Sequence, residues 1–283
     1  MILRRYLQLT VNSIKRQLST SSIMAQSKFE YTRKFEADDK LLPNTWIVVR
    51  IDGKGFHKFS DSHSFTKPNE KPALDLMNKC ALNVMTEFNE IILSYGQSDE
   101  FSFVFRPDTG VYSRRSNKIV TNIVSLFASS YVFHWAEFFP QKQLQYPPSF
   151  DGRAVLYPSI KNIRDYLSWR QADCHINNLY NTVFWALVQQ GGLTTNAAQE
   201  RLKGSLAGDK NEILFSEFGI NYNNEPAQFK KGTTIIKKKM PVPCDAESSG
   251  TKLRNKLVTL DCDIIGDDFW TEHPHLLEPF LDK

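Results

Sequence analysis

Four cysteines, at positions 80, 174, 244 and 262, form no Cys-x-x-Cys pair in 283 residues. That disfavours a thiolate zinc site and a disulfide framework, and reads as reduced thiols in a reducing compartment. No stretch approaches the roughly 20 consecutive apolar residues that span a bilayer. No internal repeat or long low-complexity tract is visible. The body also lacks a surplus of positive charge. Residues 1–28 hold Arg4, Arg5, Lys15, Arg16 and Lys28 and no acid, and residues 29–283 hold 30 bases against 31 acids. A nucleic acid would have to be met by local patches rather than a global field.

The length allows one large domain or two modest ones. In the acid-free leader Leu3, Leu7, Ile14 and Leu18 fall within about 60° of one another on a helical wheel, with the bases turned away from them. Ser19-Thr-Ser-Ser22 comes next. Residues 1–26 therefore read as a mitochondrial transit peptide, with Met24 as an alternative start for a cytosolic form.

The apolar run Trp46-Ile-Val-Val-Arg-Ile51 ends in Asp52-Gly-Lys-Gly-Phe-His57. Asp99-Glu100 sits in the turn of a hairpin spanning residues 91–105. Helical spacing predicts helices over 73–92, started by Pro72, and over 114–138, ended by Pro140. A short strand covers 152–157. Residues 46–157 thus adopt the order β-α-β-β-α-β, a split βαβ or ferredoxin-like pattern. The class is α+β, with the ferredoxin-like domain over 27–158 and a helical, basic region over 159–283. Helices are predicted over 160–169, 173–189, 195–203 and 210–218, then a loop or ribbon with a basic edge over 222–249.

Right-handed crossovers place the first and third strands side by side and antiparallel. This brings Asp52 next to Asp99. Alternation puts Ile47, Val49 and Ile51 under the helices, and Arg50 and Asp52 on an open face. Strict parity would group Asp99 with Phe101, Phe103 and Phe105, so either those rings share the open face or the turn reorients Asp99.

Two aspartates at strand ends can bridge two Mg²⁺ ions, which take hard oxygen ligands and substrate phosphates. Gly53 and Gly55 permit close backbone approach to a phosphate, although Asp-Gly-x-Gly alone is equally a tight turn. Arg114, Arg115 and Lys118 oppose the dipole of the helix they start, which a bound triphosphate would justify; a solvated face is the alternative. Asp173-Cys-His-Ile-Asn-Asn-Leu-Tyr-Asn-Thr182 is too polar for an unpartnered core. It suggests a hydrogen-bonded network that positions substrate, with a helix cap as the plainer reading.

Five segments carry a resemblance: residues 50–59, 95–105, 150–153, 166–182 and 210–215. Together they resemble the eukaryotic tRNA(His) guanylyltransferases, over about residues 27–274. The resemblance implies a polymerase-palm-like domain that adds a guanosine to the 5′ end of tRNA(His). ATP activates the 5′-phosphate, the GTP 3′-hydroxyl attacks, and pyrophosphate is then removed. By the same resemblance Asp52, Gly53 and Asp99 would hold two Mg²⁺, with Asp52, Asp99 and Glu100 catalytic. Gly53, Lys54, Gly55, Phe56, His57, Ser98, Lys118, Arg115 and Lys67 would contact nucleotide, with Lys67 and Glu70 near the activation step. His175, Asn181, Lys210 and Asn221 would handle tRNA and its 5′ end. Lys54 replaces a common Arg, keeping charge but losing a bidentate fork. The family tends to be tetrameric.

Two other readings share these features. An RRM has the same element order and an aromatic third strand like Phe101-Ser-Phe-Val-Phe105, but Ser98-Asp99-Glu100 would repel phosphate there. A nucleotide cyclase on the same palm would need the carboxylates but not the 173–182 segment.

Overall fold

The computed structural model describes residues 28–243 and 251–277; the leader expected over 1–26 lies outside them. The chain forms two compact units, Met1–Asp39 and Lys40–Lys283. In the first, a 3₁₀ turn spans Glu30–Phe35 and carries an Arg33–Glu30 ion pair of 3.0 Å.

The second unit is built on six strands: β1 Trp46–Gly53, β2 Ile91–Gln97, β3 Glu100–Phe105, β4 Phe150–Tyr157, β5 Thr233–Pro243 and β6 Thr251–Leu260. Their order is β4-β1-β3-β2-β5-β6, and every neighbouring pair is antiparallel. The first and third strands are adjacent, as right-handed crossovers require, with Ile51 opposite Phe101 and Asp52 opposite Glu100. The sheet continues past the expected boundary at 158, because β5 and β6 join it.

One sheet face is covered by helices α1 Phe56–Ser62, α2 Lys71–Glu87 and α3 Ser116–Phe138. Ile47, Val49, Ile51, Phe101, Phe103 and Phe105 bury against Leu76, Met77, Ile119, Ile123 and Phe127. The three phenylalanines are therefore core, which removes the base-stacking platform an RRM would need. Helix α3 has the length and composition to cross a bilayer, against the expectation that no stretch comes close. Here it packs on the sheet through Ile119, Ile123, Phe127 and Tyr131.

The face expected to be open is largely covered. Helix α4, Ile160–Gln189, lies over it, and Ile163, Tyr166 and Leu167 pack on Trp46, Val48, Tyr95 and Val104. Sequence predicted two helices here. They are one, because Gln171 is satisfied inside the core: it donates to the Lys231 and Cys262 carbonyls and accepts from the Ile264 amide. Ser159 caps the helix, accepting from the Asn162 amide at 3.2 Å. The helix predicted over 73–92 stops at Glu87, since Ile91 is claimed by its ladder pairing with Phe105. Helices α5 Thr195–Leu202, α6 Ala207–Phe218, α7 Ala227–Lys231 and α8 Asp267–Glu272 complete the unit. A separate apolar cluster joins Leu179, Val183 and Leu187 to Leu202, Leu214 and Tyr222.

Candidate active site

Asp52 and Asp99 come together through the backbone. The hairpin closes with Gln97 opposite Glu100, so Ser98 and Asp99 form a two-residue turn. Ser98 takes φ 48°, a left-handed conformation such tight turns demand, and its hydroxyl donates to Asp99 Oδ1 at 2.9 Å. The Gly53 amide donates to the Asp99 carbonyl at 3.0 Å. The end of β1 and the hairpin tip are thereby one hydrogen-bonded corner.

The carboxylates face different surroundings. Asp99 lines a cavity of about 840 Å³, with Phe56, Ser98, Glu100 and Tyr131 around it. Asp52 is not in that wall; its Oδ2 accepts from Arg50 Nη2 at 2.6 Å. Asp99 lines the cavity together with Phe101, as parity groups them, and with Glu100, which stands opposite Asp52. Burial, with the Asp52 charge adding to it, pushes the Asp99 carboxyl up to about 6 against the opposing Ser98 bond. Burial also raises Asp52, and the charges of Glu100 and Asp151 add to that, although Arg50 and Arg153 oppose it.

Among the described residues no group of three or more His, Cys, Asp and Glu side chains has the arrangement of a metal site. The donor chemistry nonetheless fits a hard divalent cation. Two half-buried carboxylates meet at a hydrogen-bonded corner, each pushed up by burial, with the Asp52 charge adding to the rise at Asp99, and a cation there would relieve them.

Glu100 has a different place from its neighbour. Its buried carboxylate lies 2.6 Å from Arg50 Nη2, 3.3 Å from Arg170 Nη1 and 3.1 Å from Gln97 Nε2. Arg170 is itself buried, with its guanidinium 3.4 Å from the Trp169 ring centroid. A chain of ion pairs therefore runs from α4 to β3 to β1: Arg170, Glu100, Arg50, Asp52. Sequence reasoning placed Arg50 on the open face beside Asp52 but gave neither arginine a role. The available signal was a charged residue inside an apolar strand, Trp46–Gly53, and another inside the amphipathic run that became α4.

The opposite wall comes from α1, α4 and the segment between α1 and α2. His57, Lys67, Glu70, Asn177, Asn178, Asn181 and Trp185 line the cavity. Lys67 is held by Asp61 at 3.0 Å and by Ser60 Oγ at 2.6 Å. Lys67 in turn keeps Asp61 ionised below its usual range, chiefly through their hydrogen bond. Asn178 donates to Asn69 Oδ1 at 2.8 Å and accepts from the Tyr222 hydroxyl at 3.1 Å. Of the network expected over residues 173–182 these bonds supply the part at Asn178; Asp173, Asn177 and Asn181 also line the cavity, and His175 does not. Sequence did not single out Trp185, Gln199 or the buried Tyr131, whose hydroxyl has no partner here.

The two glycines of the loop after β1 do different jobs. A Cβ on Gly53 would meet the Phe56 ring at 2.2 Å, so Gly53 makes room for that side chain. Gly55 takes φ 67° with open space beside it and starts α1. Lys54 and His57 are exposed there.

Other candidates lie apart from the cavity wall. Arg114 is a structural clamp, donating to the carbonyls of Leu41, Pro107 and Thr45, rather than a phosphate ligand. Arg115 and Lys118 are exposed, and Lys118 Nζ stands 4.8 Å from the Tyr112 ring centroid. His175 is exposed with its ring 5.6 Å from that of Tyr222. Lys210 donates to the Ser205 carbonyl at 2.7 Å. Asn221 accepts from the Asn223 amide at 3.0 Å in the turn after α6.

Comparison with known proteins places these features. The family model described as tRNAHis guanylyltransferase matches residues 29–158, and the model of that family's C-terminal domain matches 161–266. A Bos taurus protein named probable tRNA(His) guanylyltransferase is 56% identical, over 97% of this chain and 96% of its own. The crystal structure of the Saccharomyces cerevisiae tRNA(His) guanylyltransferase superposes with a TM-score of 0.71 at 51% identity, covering 74% of this chain and 93% of that one. A bacterial guanylyltransferase-like protein, solved in complex with ATP, gives 0.69 at 23% identity, covering 89% of this chain and 100% of that one. That last likeness concerns the fold.

Proposed function

Because the chain belongs to the tRNA(His) guanylyltransferase family, we propose that it adds a guanosine to the 5′ end of tRNA(His). It is a transferase. In the reaction the tRNA 5′-phosphate attacks the α-phosphate of ATP and pyrophosphate leaves. The 3′-hydroxyl of GTP then attacks the activated 5′ phosphorus and AMP leaves. Pyrophosphate is finally hydrolysed from the added nucleotide.

The observation that carries this reading is the corner made by Gly53 and Asp99, opening onto a cavity whose far wall is polar and asparagine-rich. The sheet end would then work as a polymerase-type palm. Asp52, Asp99 and the Gly53 carbonyl would hold Mg²⁺. When bound, the ions lower the cost of the developing phosphate charge and favour the attacking oxygen as its oxyanion. The chain's own residues do the rest. Arg50 orients Asp52. Lys67 and His57 meet phosphate charge at the cavity edge, and Asn177, Asn178 and Asn181 offer donors and acceptors to a ribose or terminal nucleotide. The exposed cations Arg115 and Lys118 meet the triphosphate, and His175, Lys210 and Asn221 contact the tRNA.

The proposed assembly is a homotetramer, on the strength of the family resemblance, and light scattering checks it. The acid-free leader supports delivery to mitochondria, tested by fractionating cells that express a tagged chain. The reaction is tested by incubating the protein with 5′-monophosphorylated tRNA, ATP, labelled GTP and Mg²⁺. Label at the tRNA 5′ end is expected. Label recovered only in a cyclic nucleotide would replace this reading with a cyclase.

A further inference from the structure

The body of the chain is near charge neutrality, yet strands β5 and β6 hold six cations and no acid. Alternation divides them between two faces. Ile236 belongs to the core under α4, and Lys238 and Met240 come after it on the same face. In the β5–β6 register Lys238 stands opposite Lys256, and Met240 opposite Arg254. Lys238, Lys256 and Arg254 are therefore one row, and all three are exposed. It runs on the sheet face that also carries Arg50 and Asp52.

Like charges directly opposite on neighbouring strands destabilise a sheet. Among the described residues a single acid, Glu272, relieves the row, 3.4 Å from Lys238, and it is itself largely exposed, where such a pair contributes little. Lysine on an edge strand also discourages edge-to-edge pairing. That purpose is served by one or two charges and does not call for directly opposed cations. Lys237 lies outside the row: it donates to the Asn89 carbonyl, and burial lowers its pKa. What remains, among the described residues, is a row of exposed cations that a polyanion would neutralise. Few apolar side chains accompany the row, and a bilayer surface would need them.

We propose that the Lys238–Lys256–Arg254 row is a docking surface for the sugar-phosphate backbone of an RNA. This rests on the proposed tRNA substrate and assigns part of its contact to a region remote in sequence from the carboxylates. Backbone contact supplies affinity and orientation without reading sequence.

The test is equilibrium binding of 5′-phosphorylated tRNA across a KCl series, comparing the wild type with a K238Q/R254Q/K256Q variant. Each lost phosphate contact lowers the log–log salt slope by about 1. The expected result is a slope lower by about 3 and affinity weaker by roughly tenfold or more at 100 mM KCl. A tRNA of different sequence should lose as much, and a K238R/K256R variant should bind like the wild type. Unchanged slope and affinity in the triple variant overturn the proposal, as does an arginine variant that binds as poorly as the glutamine one. A wild type that adds no guanosine, while the triple variant still loses RNA affinity, refutes the reaction and leaves the surface standing.

Discussion

Asp99 is a residue that the isolated fold would be better without. Its folded pKa, raised to about 6 by burial and then by Asp52, lies above the ordinary carboxylate value. The ionised form present at pH 7 therefore opposes folding, and that opposition disappears as the pH falls below the raised pKa. Asp99→Asn should accordingly melt at a higher temperature than the wild type in EDTA at pH 7, while losing guanosine transfer altogether. An unchanged or lower melting temperature would contradict the electrostatic account. Arg170 is the reverse case. With Arg50 it balances buried Glu100, and it stacks on Trp169, so Arg170→Ala leaves that carboxylate with Arg50 alone and should cost about 2 kcal/mol in urea denaturation. A loss below about 1 kcal/mol would mean that Arg50 alone balances Glu100 and that Arg170 adds nothing to the ion-pair chain. These arginines were hard to find from sequence because an isolated charge in an apolar segment has no partner until the fold supplies one.

At the level of elements, the join between α7 and β5 requires a glycine. Gly232 has φ 68° and ψ −168°, and a Cβ there would meet the Gly96 carbonyl oxygen at 2.6 Å. Gly232→Ala should lose about 1–3 kcal/mol from backbone strain, with further loss from the contact, seen as a lower melting temperature. The exit from β6 is fixed by Asp263. Burial alone would raise its pKa, but the amides of Gly266 and Ile265, with Lys231, hold it below the usual value. A lowered folded pKa stabilises above the ordinary value near 3.8 and loses that contribution as pH falls through the folded one. Wild type and Asp263→Asn should therefore differ in urea midpoint at about pH 6 and converge toward about pH 2–3; a constant difference would count against the assignment. Helices with strong periodicity were legible here, as α2 and α3 illustrate. The continuity of α4 was not, because Arg170 and Gln171 look like solvent-facing residues until Glu100, Lys231, Cys262 and Ile264 are brought to them.

For the whole molecule, the arrangement predicts strong coupling between ligand and stability. A corner short of positive charge beside a large cavity should gain from Mg²⁺ and GTP together, since anything that binds only the folded state stabilises it. Mg²⁺ with GTP should raise the melting temperature more than either alone, and EDTA should abolish the gain. The order of the four strands and two long helices over residues 46–157 and the antiparallel contact of β1 with β3 come from hydrophobic periodicity and crossover handedness, which are local or topological rules; the short α1, Phe56–Ser62, was not foreseen. The identities of the carboxylates come from the same rules, since a strand end and a hairpin tip can be read from apolar alternation and turn residues. What surrounds each carboxylate, that α4 closes the supposedly open face, and that Arg50 and Arg170 balance Glu100 were settled only by tertiary packing. Burial and charge pairing are properties of distances between residues far apart in the chain, and no local pattern encodes those distances.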